Sequence, residues 1–437
     1  MSLHQRKILL GVTGGIASYK APELVRQFSG LGADVRVVLT RGAGEFVAEK
    51  TLEVLSRHPV YTDLFDRDGE FPVLHVGLAE WAEAILVAPA TAHFLGRVAG
   101  GLAMYHMGQW FGGRCLDCAG IAAVGIAPED RSAGAAAHMM TSTLLELYEQ
   151  GVALSSLYPS TQRLYRKFGY EQAGSSCQHQ LPLASIGLYE LSMPMTRLNG
   201  VEHEPYHELA RARASVTNGN LERSTGMWER AVTYPYSEKT VYRYLIGPPE
   251  NPEGYLFFHQ DADGPGNYDL RVRDMVALTP SATRTLWAFL SSHRTVAGTV
   301  TWPGPAVEPL LLAPVELKAD VVAHNRWMLR LVNVRKALLQ RGYPSRFKAE
   351  LHFDVADDIV PGNTGRFVLR VADGSAEILD GGRGDLRASV GGLSPLFSGF
   401  LSPAWLRNMG QIEADDPTIA TATSVFSGPP PWMPDAF

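Results

Sequence analysis

Short apolar runs alternate with helix-periodic stretches through the first hundred residues. "KILLGV" (7–12) and "DVRVVLT" (34–40) have the length of buried strands, and "WAEAILVAPAT" (81–91) carries a third such run. Between the first two, Leu24, Val25 and Phe28 share one helical face, and Gly30 and Gly32 supply the stop. A polar loop and the helical "AEKTLEVLS" (48–56) follow. Strand, helix and strand in alternation predict a parallel sheet with helices over its faces.

The pattern changes after residue 103. "CAGIAAVGIA" (118–127) is a strand of small apolar residues, and Pro128, Glu129 and Asp130 turn it into a long helix. That helix carries Met139, Met140, Leu144 and Leu145 and ends at Gly151. Residues 251–300 read as strand, strand, helix and strand, with a hairpin loop at Gly264-Pro265-Gly266-Asn267 and a helix start at Thr279-Pro280-Ser281. "WMLRLVNVRKALLQRGYP" (327–344) reads as a helix leading into a last region. There "FKAELHFDV", "GRFVLRVA" and "SAEILD" are strands, and "LSPLFSGFLSPAWLRNMG" brings helical turns. The predicted class is therefore a multidomain α/β and α+β chain.

With 437 residues the length suits about three domains. A hydrophobic fraction of 46% and a charged fraction of 19% are ordinary for globular chains. A formal net charge of -6 argues against a protein that coats nucleic acid. Three cysteines make no disulfide framework, which suits a reducing compartment. Cys115 and Cys118 form a CxxC without a second pair at zinc spacing, so they read as strand thiols and no metal site is expected. No apolar stretch reaches the ~18 residues of a membrane span, and the N-terminal run is too short for a signal peptide. The expectation is a cytoplasmic protein with no membrane or nucleic-acid partner.

Two glycine-bearing turns carry candidate chemistry. The Gly14-Gly15 turn, between the first strand and first helix, either aims backbone N–H groups at a phosphate or serves close packing. The second turn, Arg131-Ser132-Ala133-Gly134-Ala135-Ala136, has the form Arg-x-x-Gly-x-Ala at a helix start. A pyrophosphate reaching the first free N–H groups of a helix needs tiny neighbours and gains from a cation. A small-residue helix packed on a sheet would look the same.

"ILLGVTGGIASYKAPELVRQFSGLGADVRVVLTRGAGEFV" resembles the opening of the flavin-dependent cysteine decarboxylase family, of the phosphopantothenoylcysteine decarboxylase type. The resemblance implies a truncated flavodoxin- or Rossmann-like parallel sheet. It also implies that Thr13, Gly14, Gly15 and Ser18 hold a flavin mononucleotide (FMN) phosphate, that Thr40 stands at the flavin, and that His75 matches the active-site histidine. It ends near Ala103. The family's substrate asparagine is replaced by His93, and its later substrate motif and cysteine-bearing flap are absent, which implies weak or absent flavin binding.

"MGQWFGGRCLDCAGIAAVGIAPEDRSAGAAAHMM" with "LYPSTQRLYRKFGYE" resembles the GCN5-related N-acetyltransferases of the Eis (enhanced intracellular survival) type, and the likeness continues to the end of the chain. After the partial flavoprotein-like segment 1–103, it implies an acetyltransferase core 104–185 without its usual first elements, a second acetyltransferase-like domain 186–318 and a sterol-carrier-like domain 319–437. Acetyl-coenzyme A would lie along Val124, Gly125 and Ile126, with its pyrophosphate at Arg131–Ala136. Tyr165 would be the general acid, and Tyr170 a packing residue. In "SGPPPWMPDAF" the prolines and aromatics stiffen a tail whose α-carboxylate, on Phe437, matches the group that takes the amine's proton. The acceptor would be a small-molecule or lysine-type amine, and the protein a homo-oligomer. "GGLAMYHMGQWF" (100–111) reads as the junction of the two resemblances, without a Pro-, Ser- or charge-rich linker. Two rivals stand beside this reading: an FMN-binding flavoprotein, and a catalytically inactive chimeric chain.

Overall fold

Apolar runs too short for helices become strands, and β1 (Lys7–Val12), β2 (Asp34–Leu39), β3 (Val60–Tyr61) and β4 (Ala84–Val87) pair in parallel, in the order β3-β2-β1-β4. The computed structural model describes residues 3–14, 16–62, 77–78, 81–88, 100–126, 134–233, 239–262 and 267–437. The predicted helix with the Leu24, Val25 and Phe28 face spans Ala21–Gly30, and "AEKTLEVLS" becomes the helix Glu49–Ser56. Leu10, Val12, Val25, Val35, Val37 and Leu52 form their shared core. On β4, in contrast, Ile85 is 64% and Leu86 37% exposed.

The junction stretch "GGLAMYHMGQWF" is a single strand, β5 (Gly100–Phe111), of an 11-stranded sheet. Its other members are β6 (Arg114–Ile126), β7 (Leu154–Leu157), β8 (Glu171–Pro182), β9 (Met195–Leu198), β10 (Leu221–Glu222), β11 (Tyr242–Ile246), β12 (Gly254–Ala262), β13 (Tyr268–Ala277), β14 (Ala297–Gly304) and β15 (Asp320–Leu331). They run in the order β10-β5-β6-β7-β15-β8-β14-β13-β12-β11-β9. A last sheet orders β16 (Lys348–Ala356), β17 (Gly365–Ala372), β18 (Ser375–Asp380), β19 (Leu386–Ser389) and β20 (Ile412–Glu413) as β18-β17-β16-β19-β20. The architecture is the multidomain α/β and α+β one expected, with an N-terminal four-stranded parallel sheet, an 11-stranded mixed sheet and a five-stranded C-terminal sheet. By contacts the chain divides into one unit of Met1–Gly101 with Val124–Ser142, and another of Leu102–Ala123 with Thr143–Phe437.

One predicted element changes type. "WMLRL" at the start of the expected helix is the end of β15, and only Val334–Gln340 is helical. Met328–Leu331 pairs with β7 while Asp320–Leu329 pairs with β8, so β15 is wedged between two strands and its apolar end is buried on both faces. Such a strand shows no alternation, and periodicity alone does not separate it from a buried helix. The Asn333 side chain, accepting from Lys336 N (3.0 Å), caps the helix that follows. The start expected at Thr279 is capped likewise, with Thr279 Oγ1 accepting from Ala282 N (3.1 Å) ahead of the helix Pro280–Ser292.

The C-terminal domain shares one core with the 11-stranded sheet, joining Phe111, Trp327 and Leu329 to Leu393, Leu396 and Phe397. A buried ion pair reinforces it. Arg330 on β15 donates to both carboxylate oxygens of Asp357 (2.9 and 2.7 Å) and to the Phe168 carbonyl (2.6 Å). Burial alone would raise the Asp357 carboxyl; Arg330 and further hydrogen bonds outweigh it and hold the pKa below the ordinary value.

Candidate active site

The site is built around the end of the tail. Ser175 on β8 donates its N–H to the Pro431 carbonyl (3.1 Å) and accepts from Met433 N (3.3 Å), so the tail runs along β8 like a short extra strand. Asn218 accepts from Trp432 N (2.9 Å), and the Asn220 side chain donates to the Trp432 carbonyl (2.9 Å). Two more bonds fix Asp435: Arg223 Nε donates to its carboxylate (2.7 Å) and the Tyr158 hydroxyl to its carbonyl (3.0 Å). Phe437 then sets its ring edge-on to Tyr158 (5.9 Å) and Tyr105 (6.2 Å). Gly120 on β6 makes room: a Cβ there would stand 2.8 Å from Phe437 Cε2.

A cavity of about 820 Å³ opens beside this tail, lined by Tyr158, Ser160, Ser176, Asn325, Arg326 and Phe437 among others. A second cleft, of about 550 Å³, shares Gln178, Pro434, Asp435 and Ala436 with it. Volumes of this order hold small ligands.

Three tyrosines follow β7 closely. Tyr165, in the helix Gln162–Arg166, is 4% exposed and stacks edge-on with Tyr170 (6.2 Å). Burial pushes its hydroxyl above the ordinary tyrosine value, and a hydrogen bond with Ser160 works the other way. Tyr165 is outside the lining of both cavities. Tyr170 is a fully buried packing residue whose hydroxyl donates to Ser155 Oγ (2.7 Å). Between them Gly169, at φ +73, closes the turn where a Cβ would collide with the Arg330 guanidinium. Tyr158 is the third, and burial raises its hydroxyl further, against a hydrogen bond with Ser176. Sequence reading missed Tyr158, Arg223 and Asp435; the Tyr-Pro step closing a short strand was the only local signal.

At the second glycine turn, Arg131, Ser132 and Ala133 lie outside the described residues. Gly134 is exposed at φ +76, and His138 N donates to its carbonyl (3.0 Å) as the first bond of the helix Ala135–Glu149. The N–H groups of Ala135 and Ala136 therefore precede the first intrahelical donor, the condition an incoming anion exploits. β6 pairs with β7 through Cys118–Ile121, and Val124, Gly125 and Ile126 run beyond the last pair. Gly125 is exposed, with no atom within 4 Å of where a Cβ would stand.

The first turn is more closed. Gly15 and His75, like His93, lie outside the described residues. Thr13 (4% exposed) and Ser18 (0%) are buried, and Ser18 donates its hydroxyl to the Thr13 carbonyl (2.7 Å). Gly14 abuts Gly42, whose carbonyl carbon would be 2.8 Å from an added Cβ. Thr40, exposed just past β2, joins these residues at the carboxyl ends of the strands, where open α/β sheets bind ligands. The fit to a flavin phosphate is partial: the place is right, but the Ser18 hydroxyl is committed inward.

Among the described residues no group of three or more His, Cys, Asp or Glu is placed to hold a metal ion. Burial is the main cause that raises Cys115 to about 11 and Cys118 to about 12, so neither is a ready thiolate. No helix among them is long and apolar enough to cross a membrane.

The fold that carries this tail and cavity matches that of acyltransferases. The acetyltransferase (GNAT) domain family matches residues 86–173 and, through a second description, residues 219–331. A sterol carrier protein domain matches 334–434, and a flavoprotein domain matches 1–106. The crystal structure of a GCN5-related N-acetyltransferase from Anabaena variabilis is 43% identical, with a TM-score of 0.75, covering 78% of this chain and 87% of that one. One from Kribbella flavida is 28% identical at a TM-score of 0.70, covering 78% and 84%. The chain belongs to the GCN5-related N-acetyltransferase family and carries a flavoprotein-like N-terminal segment. Over that segment it is 48% identical, across 103 residues, to the coenzyme A biosynthesis bifunctional protein CoaBC of Escherichia coli K12. The match spans about a quarter of that relative's length (25%).

Proposed function

We propose that this protein is an acetyl-coenzyme A-dependent N-acetyltransferase of the Eis type, working in the cytoplasm as a homo-oligomer on an amine acceptor. A neutral amine attacks the thioester carbonyl, the tetrahedral intermediate expels the thiolate, and an amide remains. Tyr165 returns a proton to the thiolate. The Phe437 carboxylate takes the proton lost by the amine, directly or through water. The coenzyme's pyrophosphate sits at Arg131–Ala136, and its pantetheine arm follows Val124, Gly125 and Ile126. The observation that carries this reading is the tail: four hydrogen bonds along Pro431–Met433 and two on Asp435 hold it beside the cavity that Phe437 lines. Anchoring of this kind holds Phe437 in one place beside the cavity. Flavin mononucleotide is bound weakly or not at all at Thr13, Gly14, Gly15, Ser18, Thr40 and His75, and takes no part in the transfer.

The test is mass-spectrometric detection of acetylated product from a panel of amines with acetyl-coenzyme A. Product at a rate proportional to enzyme is expected. Thioester loss no faster than without enzyme, for every amine, would overturn the reading.

A further inference from the structure

The smaller cleft beside the tail is a basic one. Arg223, Arg230, Lys239, Arg271 and Arg273 line it, against Asp261 and Asp435 as carboxylates among the described residues. Those acids are already shared. Asp261 takes Lys239 Nζ (2.6 Å), Arg271 Nε (3.2 Å) and His259 Nε2 (3.2 Å). Asp435 is held by Arg223, and the buried Asp274 behind it serves both Arg223 and Arg213, each at 2.7 Å. Arg230 is exposed, reaches the Tyr105 hydroxyl (3.3 Å), and has no carboxylate within ion-pair distance among the described residues. Tyr105 in turn touches the Phe437 ring. Among the described residues, cations thus outnumber acids along this cleft, which adjoins the tail at Pro434, Asp435 and Ala436.

From this we infer that the acceptor is a small amine bearing an anionic group, carboxylate or phosphate, which the Arg230–Arg271 wall binds while the amine faces Phe437. The inference rests on the acetyl-transfer reading above. A cleft walled by one sign of charge concentrates ligands of the opposite sign and disfavours ligands of its own. A polyamine would meet Arg230, Arg271 and Lys239 as like charges, so the same wall selects against it.

The experiment uses matched pairs: O-phosphoethanolamine against ethanolamine, and γ-aminobutyrate against butylamine, with spermidine as the polycation. Coenzyme A release gives kcat and KM, and calorimetric titration of the same amines into the coenzyme A-loaded protein gives binding without turnover. The anionic member of a pair should be preferred at least about tenfold in kcat/KM and in affinity, with a preference that shrinks as salt rises. One responsive pair identifies the anion as carboxylate or phosphate. Arg230→Gln should raise KM for the anionic member about tenfold, the loss of one charge-assisted contact. Turnover with equal or better use of butylamine or spermidine would overturn the inference and leave the transferase standing. Anionic preference in binding with no turnover for any amine would uphold the cleft and overturn the transferase. Binding without charge preference would overturn the inference whether or not turnover is seen.

Discussion

β4 and the end of β15 are both short apolar runs, and they meet opposite environments. "AILV" leaves Ile85 and Leu86 exposed at the edge of a four-stranded sheet, whereas "WMLRL" is wholly buried between β7 and β8. Parallel sheets are usually covered on both faces, and among the described residues β4 of the first region keeps Ile85 and Leu86 exposed instead. In the second region, β15 fills the gap between β7 and β8, the C-terminal domain shares its core, and the tail is tied beside a cavity. Local sequence likeness is strong in both. Long-range closure separates them, and on this account only the second region does chemistry.

The largest expected effect comes from the tail. Adding a few residues after Phe437 moves its carboxylate but keeps its ring, and should cost about 10²- to 10⁴-fold in kcat, the worth of a positioned base. Phe437→Leu keeps the carboxylate and should cost less than about tenfold. Circular dichroism would show both variants folded; parent turnover in the extended form would remove the carboxylate from catalysis.

Next is Tyr165→Phe, with an expected loss of about 10²-fold in kcat and little change in KM for acetyl-coenzyme A. The pH dependence has a definite sign. Burial raises the Tyr165 pKa, so the acid form persists above the ordinary tyrosine value of about 10. Below that pH the rate should rise only as the acceptor amine loses its proton. A descending limb between pH 7 and 9 that vanishes in Tyr165→Phe would contradict the raised hydroxyl.

A smaller, graded effect belongs to Gly134. Any side chain there is strained at φ +76, by about 1–2 kcal/mol, so Gly134→Ala is the reference for Gly134→Glu. Relative to alanine, the glutamate should weaken coenzyme A binding about tenfold or more by calorimetry, through bulk and charge at the pyrophosphate. Equal affinities would move the pyrophosphate elsewhere.

How much was legible in the residues follows from how local each signal is. Short apolar runs disclosed β1 and β2, and alternation and a helix-start signal disclosed β16, β17, β18 and the helix after Thr279, because each reports its own segment's burial or start. The start of the helix Ala135–Glu149 was legible because a helix start gathers its small residues in one short stretch. β15 was misread, since continuous burial erases the period that tells strand from helix. Tyr158, Arg223 and Asp435 stayed hidden for a different reason: residues 277 and 212 positions apart meet only when the tail folds back onto β8 and β10's neighbourhood. No window of sequence contains that contact.

Native mass spectrometry of the purified protein tests the division between the two regions most directly. The chain should retain coenzyme A or acetyl-coenzyme A at up to one per chain, and lose it in Gly134→Glu, while carrying no stoichiometric flavin. One tightly held flavin mononucleotide per chain, with no coenzyme A bound at saturating concentration, would place the working site in the first region and contradict the account.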